Sequence, residues 1–248
     1  MAEATFRIWR GGSDGQGEFI PYTVVVSDGM VVLDAVHRIQ AEQAPDLACR
    51  WNCKAGKCGS CSAEINGRPK LMCMTRLNTL DLDEPVTVEP MRAFPPVRDL
   101  VSDVSWNFGV KPAVRRFAPR SPDNDDGTWH MAQRDIDRVQ EFRRCIECFL
   151  CQDVCHVVRE HRGHDAGFIG PRYFVHTAAL EMHPLDTADR IPALKESQGI
   201  GYCNITKCCT TVCPEHIHIT DNAIIPLKER VVDRFYDPIT RLLRVFRS

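Results

Sequence analysis

The stretch that most limits what this chain can become is Cys145-Ile146-Glu147-Cys148-Phe149-Leu150-Cys151-Gln152-Asp153-Val154-Cys155. Its spacing is C-x2-C-x2-C-x3-C. Three thiolates set two residues apart can curl around one iron–sulfur cubane and reach three of its corners. The fourth Cys leads into a helix directed away and tends to serve a second cluster. A related run lies downstream, from Cys203 through Asn204, Ile205, Thr206, Lys207, Cys208 and Cys209 to Cys213-Pro214. Aligning Cys203, Cys209 and Cys213 with the first run puts Thr206 where the second Cys stands. That replacement shapes the rest of the reading.

A third set comes earlier. Cys53, Cys58 and Cys61 follow C-x4-C-x2-C, and Cys73 stands further on. This is the plant-type spacing for a 2Fe–2S cluster. Gly56 and Gly59 would let backbone N–H groups approach the sulfurs, where hydrogen bonds tune the potential. Segments 63–66 and 70–73 flank Gly67-Arg68-Pro69 and read as a hairpin that returns Cys73 to the loop. Four Cys also make a tetrahedral zinc site, but zinc favours pairs of C-x2-C knuckles and this spacing fits them poorly. Cys49 has no place in the pattern and reads as a small buried side chain.

The chain has 13 Cys. Its first residues lack the basic flank and apolar run of a signal peptide. No stretch approaches the run of about 18 apolar residues that spans a membrane. Many cysteines with no route to an oxidising compartment mean metal or redox chemistry rather than disulfides. A net charge of −2 gives no basic field for nucleic acid.

The 248 residues suffice for one large domain or two ordinary ones. Strands are expected at 5–9 and 22–26 around a turn at 11–17, with a helix over 31–43 burying Val32, Ala35, Val36 and Ile39. Residues 87–89 are expected to close this sheet. Pro90, Pro95 and Pro96 then mark a boundary, dividing the chain into 1–95 and 96–248. Helices are expected at 97–108, with Leu100, Val101, Val104 and Phe108 at core spacing, and at 131–144, 171–182, 190–197 and 220–233. Residues 119–127 read as a polar surface loop. The class is α+β, a sheet domain followed by a mostly helical one. The tail, 237–248, pairs apolar residues with Arg241, Arg244 and Arg247 and reads as a docked amphipathic helix or a lipid-surface contact.

If the fourth Cys of each run crosses over, Cys145, Cys148, Cys151 and Cys213 hold a 4Fe–4S cluster. Cys155, Cys203 and Cys209 then remain, and three thiolates beside Thr206 suit a 3Fe–4S centre. An uncrossed assignment gives the same ligand counts; Cys213-Pro214, the characteristic ending of such a run, favours crossing. Cys208 adjoins Cys209, and neighbouring residues rarely reach two corners of one cube, so it reads as a non-ligand. The remaining option makes Thr206 a hydroxyl ligand to a fourth iron. No catalytic triad, phosphate loop or nucleotide fingerprint stands beside these sets. The chain reads as a wire for single electrons.

With these ligand sets placed, the sequence resembles the iron–sulfur subunit of succinate dehydrogenase and fumarate reductase over nearly its whole length. The resemblance rests on the order of the three cysteine sets, on Thr206, and on the segment from Arg98 to Phe108, which is similar to the family's lead-in to its second domain. It implies an N-terminal β-grasp plant-type ferredoxin domain and an all-α bacterial-type ferredoxin domain. It also implies a flavoprotein partner carrying FAD at the 2Fe–2S end, and a membrane anchor with a quinone at the 3Fe–4S end. Electrons taken by FAD from succinate would pass singly to quinone.

This chain departs from the family in three places. His156 stands where many relatives have Pro, and Asn204 where many have His. A quinone-contacting Trp is absent from Val157-Val158-Arg159-Glu160. These departures point away from ubiquinone and towards menaquinone. His156, Asn204 and Thr206 are the residues expected around the quinone or the 3Fe–4S centre, and His156 serves either as a donor to quinone or as a structural histidine. The expected location is peripheral, on the cytoplasmic face of a bacterial plasma membrane. The competing readings are a quinol:fumarate reductase and a ferredoxin-type relay of another membrane-associated oxidoreductase.

Overall fold

The computed structural model describes residues 2–160 and 167–238. The part of the tail expectation from residue 239 onward lies outside them. By its contacts the chain divides into two compact units. One takes in residues 2–106, the segment starting at Ile146 and containing helix 156–160, and Val212–Pro214. The other takes in Asn107–Cys145, helix 171–181 with the chain on to Thr211, and the chain from Glu215.

The first unit is organised by a five-stranded sheet. Strands β1 (Ala2–Gly11) and β2 (Gly17–Val26) form a long antiparallel hairpin. After helix α1 (Val32–Glu42) come β3 (Ser62–Ile65), β4 (Arg68–Leu71) and β5 (Val86–Glu89), giving the order β2-β1-β5-β3-β4. β5 runs parallel to β1 and antiparallel to β3, so it lies inside the sheet instead of at its edge. Phe6 and Ile8 alternate inward along β1, and Val32, Leu33, Ala35, Val36 and Ile39 line the buried side of α1. Fully burying each large apolar side chain contributes about 1.5–3 kcal/mol. The start of α1 is fixed by Asp34, whose carboxylate accepts the Val31 N–H at 3.1 Å.

The expected hairpin is present, but its turn is Asn66-Gly67, with φ of 49° and 70° at the two residues. Two left-handed residues make the turn that matches strand twist. Pro69 therefore sits within β4, an edge strand, where a missing N–H costs the sheet nothing.

The expected helix over 97–108 is only half right. β6 (Pro96–Arg98) and β7 (Val101–Ser102) make a small hairpin, and α2 (Ser105–Val110) begins after it. The cause is Asp99, left-handed at φ 47° and 2% exposed. Its carboxylate accepts the Gly11 N–H (3.1 Å), the Ala48 N–H (2.8 Å) and Arg10 Nε (3.1 Å). Helical backbone at 99 would strand those donors. Phe108, expected in the core, is 55% exposed.

The remaining elements are mostly helical: α3 (Gln133–Gln140), α4 (Leu150–Asp153), α5 (His156–Glu160), α6 (Pro171–Glu181), α7 (Ile191–Glu196), α8 (Cys208–Thr211) and α9 (Ile225–Phe235). Within the second unit, α6 is the centre of packing and buries Tyr173, Phe174, Val175, Thr177 and Ala178. Arg190, just before α7, is 1% exposed. It is satisfied by the carbonyls of Arg115, Arg116 and Ala188 and by Asp186 Oδ2 at 2.7 Å. A buried charge is tolerable only with such complete pairing. The helix expected at 220–233 opens instead with a π-helical turn, Ile219–Ile224. Among the described residues no helix is long and apolar enough to cross a membrane.

Candidate metal centres

All thirteen cysteines are free thiols. In the first set, Cys53 is exposed at the loop surface, while Cys61 and Cys73 are buried beneath it. Left-handed Lys54 (φ 53°), Gly56 (φ 67°) and Gly59 (φ 70°) turn the intervening backbone. The N–H groups of Ala55 and Lys57 thereby donate to Cys53 Sγ at 3.4 and 3.3 Å, and the Cys73 N–H donates to Cys61 Sγ at 3.5 Å. Burial raises the Cys58 thiol, but hydrogen bonds from Ser60 and Cys53 outweigh it and bring the group down to about 7. Burial pushes Cys61 up to about 12, with the thiols of Cys73 and Cys58 adding to it. Cys58 interacts with Cys53 and Cys61, and Cys61 with Cys73. Amide hydrogens aimed at the sulfurs of Cys53 and Cys61 fit an iron–sulfur cluster that binds such groups as thiolates.

Gly56 and Gly59 do different jobs. A Cβ on Gly56 would meet Met74 Sδ at 2.8 Å. A Cβ on Gly59 would meet Cys148 Cα at 2.5 Å and Cys148 Cβ at 2.8 Å. The loop of the first set thus packs directly on a Cys of the central run. Ser62 Oγ ties the two together through the Gly59 carbonyl (2.8 Å) and the Cys148 carbonyl (2.9 Å). Sequence gave no signal for this contact, because the partners are 86 residues apart.

The central and downstream runs share a backbone signature. In the first, Glu147 (φ 55°) and Phe149 (φ 61°) are left-handed; in the second, Ile205 (φ 58°) and Lys207 (φ 61°) are. These are the same offsets, two and four residues past Cys145 and Cys203. A short helix follows at the same place in each, α4 and α8. Alternating left-handed residues point successive N–H groups into one concavity, a shape suited to an anionic cluster. In this correspondence Thr206 takes the place of Cys148, and Cys208 takes the place of Leu150.

Side chains differentiate the runs. Cys148, Cys151 and Cys155 are buried, whereas Asn204 to Lys207 are exposed. Thr206 Oγ1 lies 3.3 Å from Cys208 Sγ. Burial pushes Cys209 up to about 11; the Thr220 hydroxyl opposes this, and the nearby thiols of Cys208 and Cys203 add to it. Cys145, Cys203 and Cys213 are half-buried, as is His156 at the start of α5. Cys49 packs against the core of the sheet unit, and burial pushes its thiol up to about 12, the state of an inert thiol.

Beneath α4 and α5 lies a charge network that the sequence did not announce. Glu64 of β3 and Asp153 of α4 are both fully buried. Arg159 Nη2 pairs with Glu64 Oε1 at 2.5 Å and Arg92 Nε with Glu64 Oε2 at 3.1 Å. Asp153 Oδ1 accepts the Ala93 N–H at 2.9 Å, and Arg159 Nε donates to the Asp153 carbonyl. The sequence offered only a Glu within Ser62–Ile65, a strand whose four positions prove to be buried.

Comparison with known proteins agrees with this geometry. The family model described as 2Fe-2S iron-sulfur cluster binding domain matches residues 5–108, and the one described as 4Fe-4S dicluster domain matches 141–217. Sheet, helices and two cluster-binding domains in that order define an iron–sulfur electron-transfer protein. The chain is 34% identical over 203 residues to the fumarate reductase iron-sulfur subunit of Mycobacterium tuberculosis, covering 80% of each. It is 27% identical to the succinate dehydrogenase iron-sulfur subunit of Paracoccus denitrificans, covering 92% of this chain and 88% of that one. In the solved structure "Mycobacterium smegmatis Sdh1 complex in the apo form", one chain matches at 62% identity with a TM-score of 0.91, over 96% of this chain and 98% of that chain. This chain belongs to the iron–sulfur subunits of succinate dehydrogenase and fumarate reductase. As such it transfers electrons, and membership implies a flavoprotein and a membrane anchor as partners.

Proposed function

We propose that the chain relays single electrons from FAD in the flavoprotein, through 2Fe–2S, 4Fe–4S and 3Fe–4S clusters, to menaquinone in a succinate:quinone oxidoreductase. Cys53, Cys58, Cys61 and Cys73 are the ligands of the first cluster in this reading. Cys145, Cys148, Cys151 and Cys213 hold the second, and Cys155, Cys203 and Cys209 the third. The clusters, when bound, each accept and release one electron at a time. The division into residues 1–95, read as a β-grasp domain, and 96–248, read as an all-α domain, accompanies this assignment. The location is peripheral, at the cytoplasmic membrane face.

The observation that carries the reading is the van der Waals contact of Gly59 with Cys148. A wire needs successive carriers in close approach, and these two cysteine loops touch with no side chain between them. The shared left-handed pattern of the two later runs supports Thr206 as the corner without a thiolate. With Cys155, Cys203 and Cys209 as its thiolates and Thr206 in place of a fourth, this reading favours the cluster with one iron fewer. Asn204 and Thr206 lie on an exposed loop, accessible to a quinone-bearing partner.

The test is low-temperature electron paramagnetic resonance on the anaerobically purified complex. A 3Fe–4S signal that fades on adding succinate is the expected result; its absence at full iron content overturns the third assignment. Succinate-driven reduction of a menaquinone analogue should outpace that of a ubiquinone analogue. His156→Ala should slow quinone reduction and leave flavin-side dye reduction intact, and equal loss of both would remove His156 from the quinone site. The ratio of succinate oxidation to fumarate reduction with the same quinone couple then fixes the working direction.

A further inference from the structure

Three polar groups of the second unit form a directed chain that ends on a cysteine sulfur. The Thr220 N–H donates to Thr210 Oγ1 at 3.0 Å. The Thr210 hydroxyl donates to Thr220 Oγ1 at 3.1 Å. Thr220 Oγ1 lies 3.5 Å from Cys209 Sγ, and Thr220 is 1% exposed.

A hydroxyl carries one hydrogen and two acceptor lone pairs. Thr210 uses its hydrogen on Thr220, so one lone pair of Thr220 Oγ1 is occupied and the Thr220 hydrogen must point elsewhere. Cys209 Sγ is the acceptor within reach. In a free thiol either atom can donate. A cysteine bound to iron is a thiolate with no hydrogen to give, so the direction becomes fixed from Thr220 to Cys209.

We propose that Thr220, oriented by Thr210, is the hydrogen-bond donor to the Cys209 sulfur and raises the reduction potential of the cluster that Cys209 holds. The proposal rests on the reading of Cys209 as a ligand of that cluster. Adding one electron to the cluster places more negative charge on its sulfurs. A donor at the sulfur stabilises the reduced form more than the oxidised one, so the couple moves to higher potential. This is the direction needed at the acceptor end of a wire that delivers electrons to quinone.

The local fold explains why Thr220 reaches the sulfur. It lies in the π-helical turn Ile219–Ile224, where the wider backbone ring shifts side chains relative to an α-helix. Ile219, Ala223 and Ile224 anchor that turn in the core. Lys207, in the cysteine loop, pairs with Asp221 of the turn at 2.7 Å. Thr220 is thus a positioning and tuning residue, acting through Cys209.

The experiment is a redox titration of the whole complex with dithionite and ferricyanide, followed by paramagnetic resonance of the 3Fe–4S signal. Thr220→Val should lower the midpoint, changing the reduced-to-oxidised ratio at fixed potential by up to about tenfold, or about 59 mV for one electron. The 2Fe–2S midpoint should stay in place. Thr220→Ser keeps the donor and should restore the wild-type value. Thr210→Val leaves Thr220 present but undirected, and should shift the midpoint the same way by less. An intact signal with an unmoved midpoint in both Thr220→Val and Thr210→Val overturns the proposal. The underlying reading fails separately, if Cys209→Ser retains an unchanged 3Fe–4S signal. Loss of that signal in Cys209→Ser, with no shift in the threonine variants, leaves the ligand reading standing and removes the donor.

Discussion

The two later cysteine runs have nearly the same backbone and different surroundings. Both place left-handed residues at the second and fourth positions past their first Cys, and both continue into a four-residue helix. In the first run the residue between the two left-handed ones is a buried Cys148 pressed on Gly59, and Leu150 is 1% exposed. In the second run the matching residues are Thr206, exposed, and Cys208, half-buried and 3.3 Å from it. Backbone shape and side-chain content are therefore separable: the same offsets of left-handed residues carry a buried Cys in one run and an exposed Thr in the other.

The largest expected effect comes from breaking the buried run. Cys148→Ala removes the sulfur assigned to the second cluster and keeps the Cα and Cβ on which Gly59 packs. Succinate-to-quinone electron transfer should fall to background, with the 4Fe–4S resonance gone and the 2Fe–2S resonance retained.

Making the runs alike is the sharper test. On the proposed assignment, Thr206→Cys supplies a fourth thiolate, so iron in the third centre should rise from three to four per cluster and the 3Fe–4S signal should disappear. Cys208→Ser in the same background of assays should leave iron content and signal as they were. If Cys208→Ser is the variant that loses the cluster, the correspondence of Cys208 with Leu150 is wrong.

Gly59→Val tests the contact that belongs to the first run alone. A branched side chain at φ 70°, with its Cβ 2.5 Å from Cys148 Cα, combines backbone strain with overpacking. The expected cost is about 3 kcal/mol, read as a lower denaturation midpoint of the complex. Gly15→Ala, also left-handed but open to solvent, should cost about 1 kcal/mol.

The smallest effect concerns the exit from the second run. Glu141 accepts the His218 N–H at 2.7 Å, His218 Nδ1 at 2.7 Å and Asn222 Nδ2 at 2.5 Å. Burial raises its carboxyl, but those hydrogen bonds outweigh burial and hold it below the usual carboxylate range. A lowered folded value contributes stability above the ordinary Glu titration that is lost as pH falls through the folded value. Glu141→Gln should cost about 1 kcal/mol at neutral pH and flatten the fall in melting temperature on acidification below about pH 4. An unchanged acid slope would show that Glu141 is not the group responsible.

The two cluster-binding domains were legible beforehand because cysteine spacing is a local property. A thiolate triad two residues apart is read without knowing the fold, and so is the C-x4-C-x2-C loop. The strands around Phe6 and Val24 and the buried face of α1 were legible for the same reason, since periodicity is local too. The expectation failed at 97–108, where the apolar spacing of Leu100 and Val104 suited a helix. There the deciding interactions came from Gly11 and Ala48, far away in the chain, converging on Asp99.

By itself, then, the sequence determined the order of the cysteine sets and the presence of Thr206 where the first run has Cys148. Chemistry at fixed offsets needs only the chain to state it. The packing of Gly59 on Cys148, the burial of Glu64 beside Arg159, and the Thr220–Thr210–Cys209 chain were decided by tertiary structure. Each of the three depends on a side chain meeting a partner many residues away in a dry interior, where an unpaired polar group is costly and a misplaced methyl has no room.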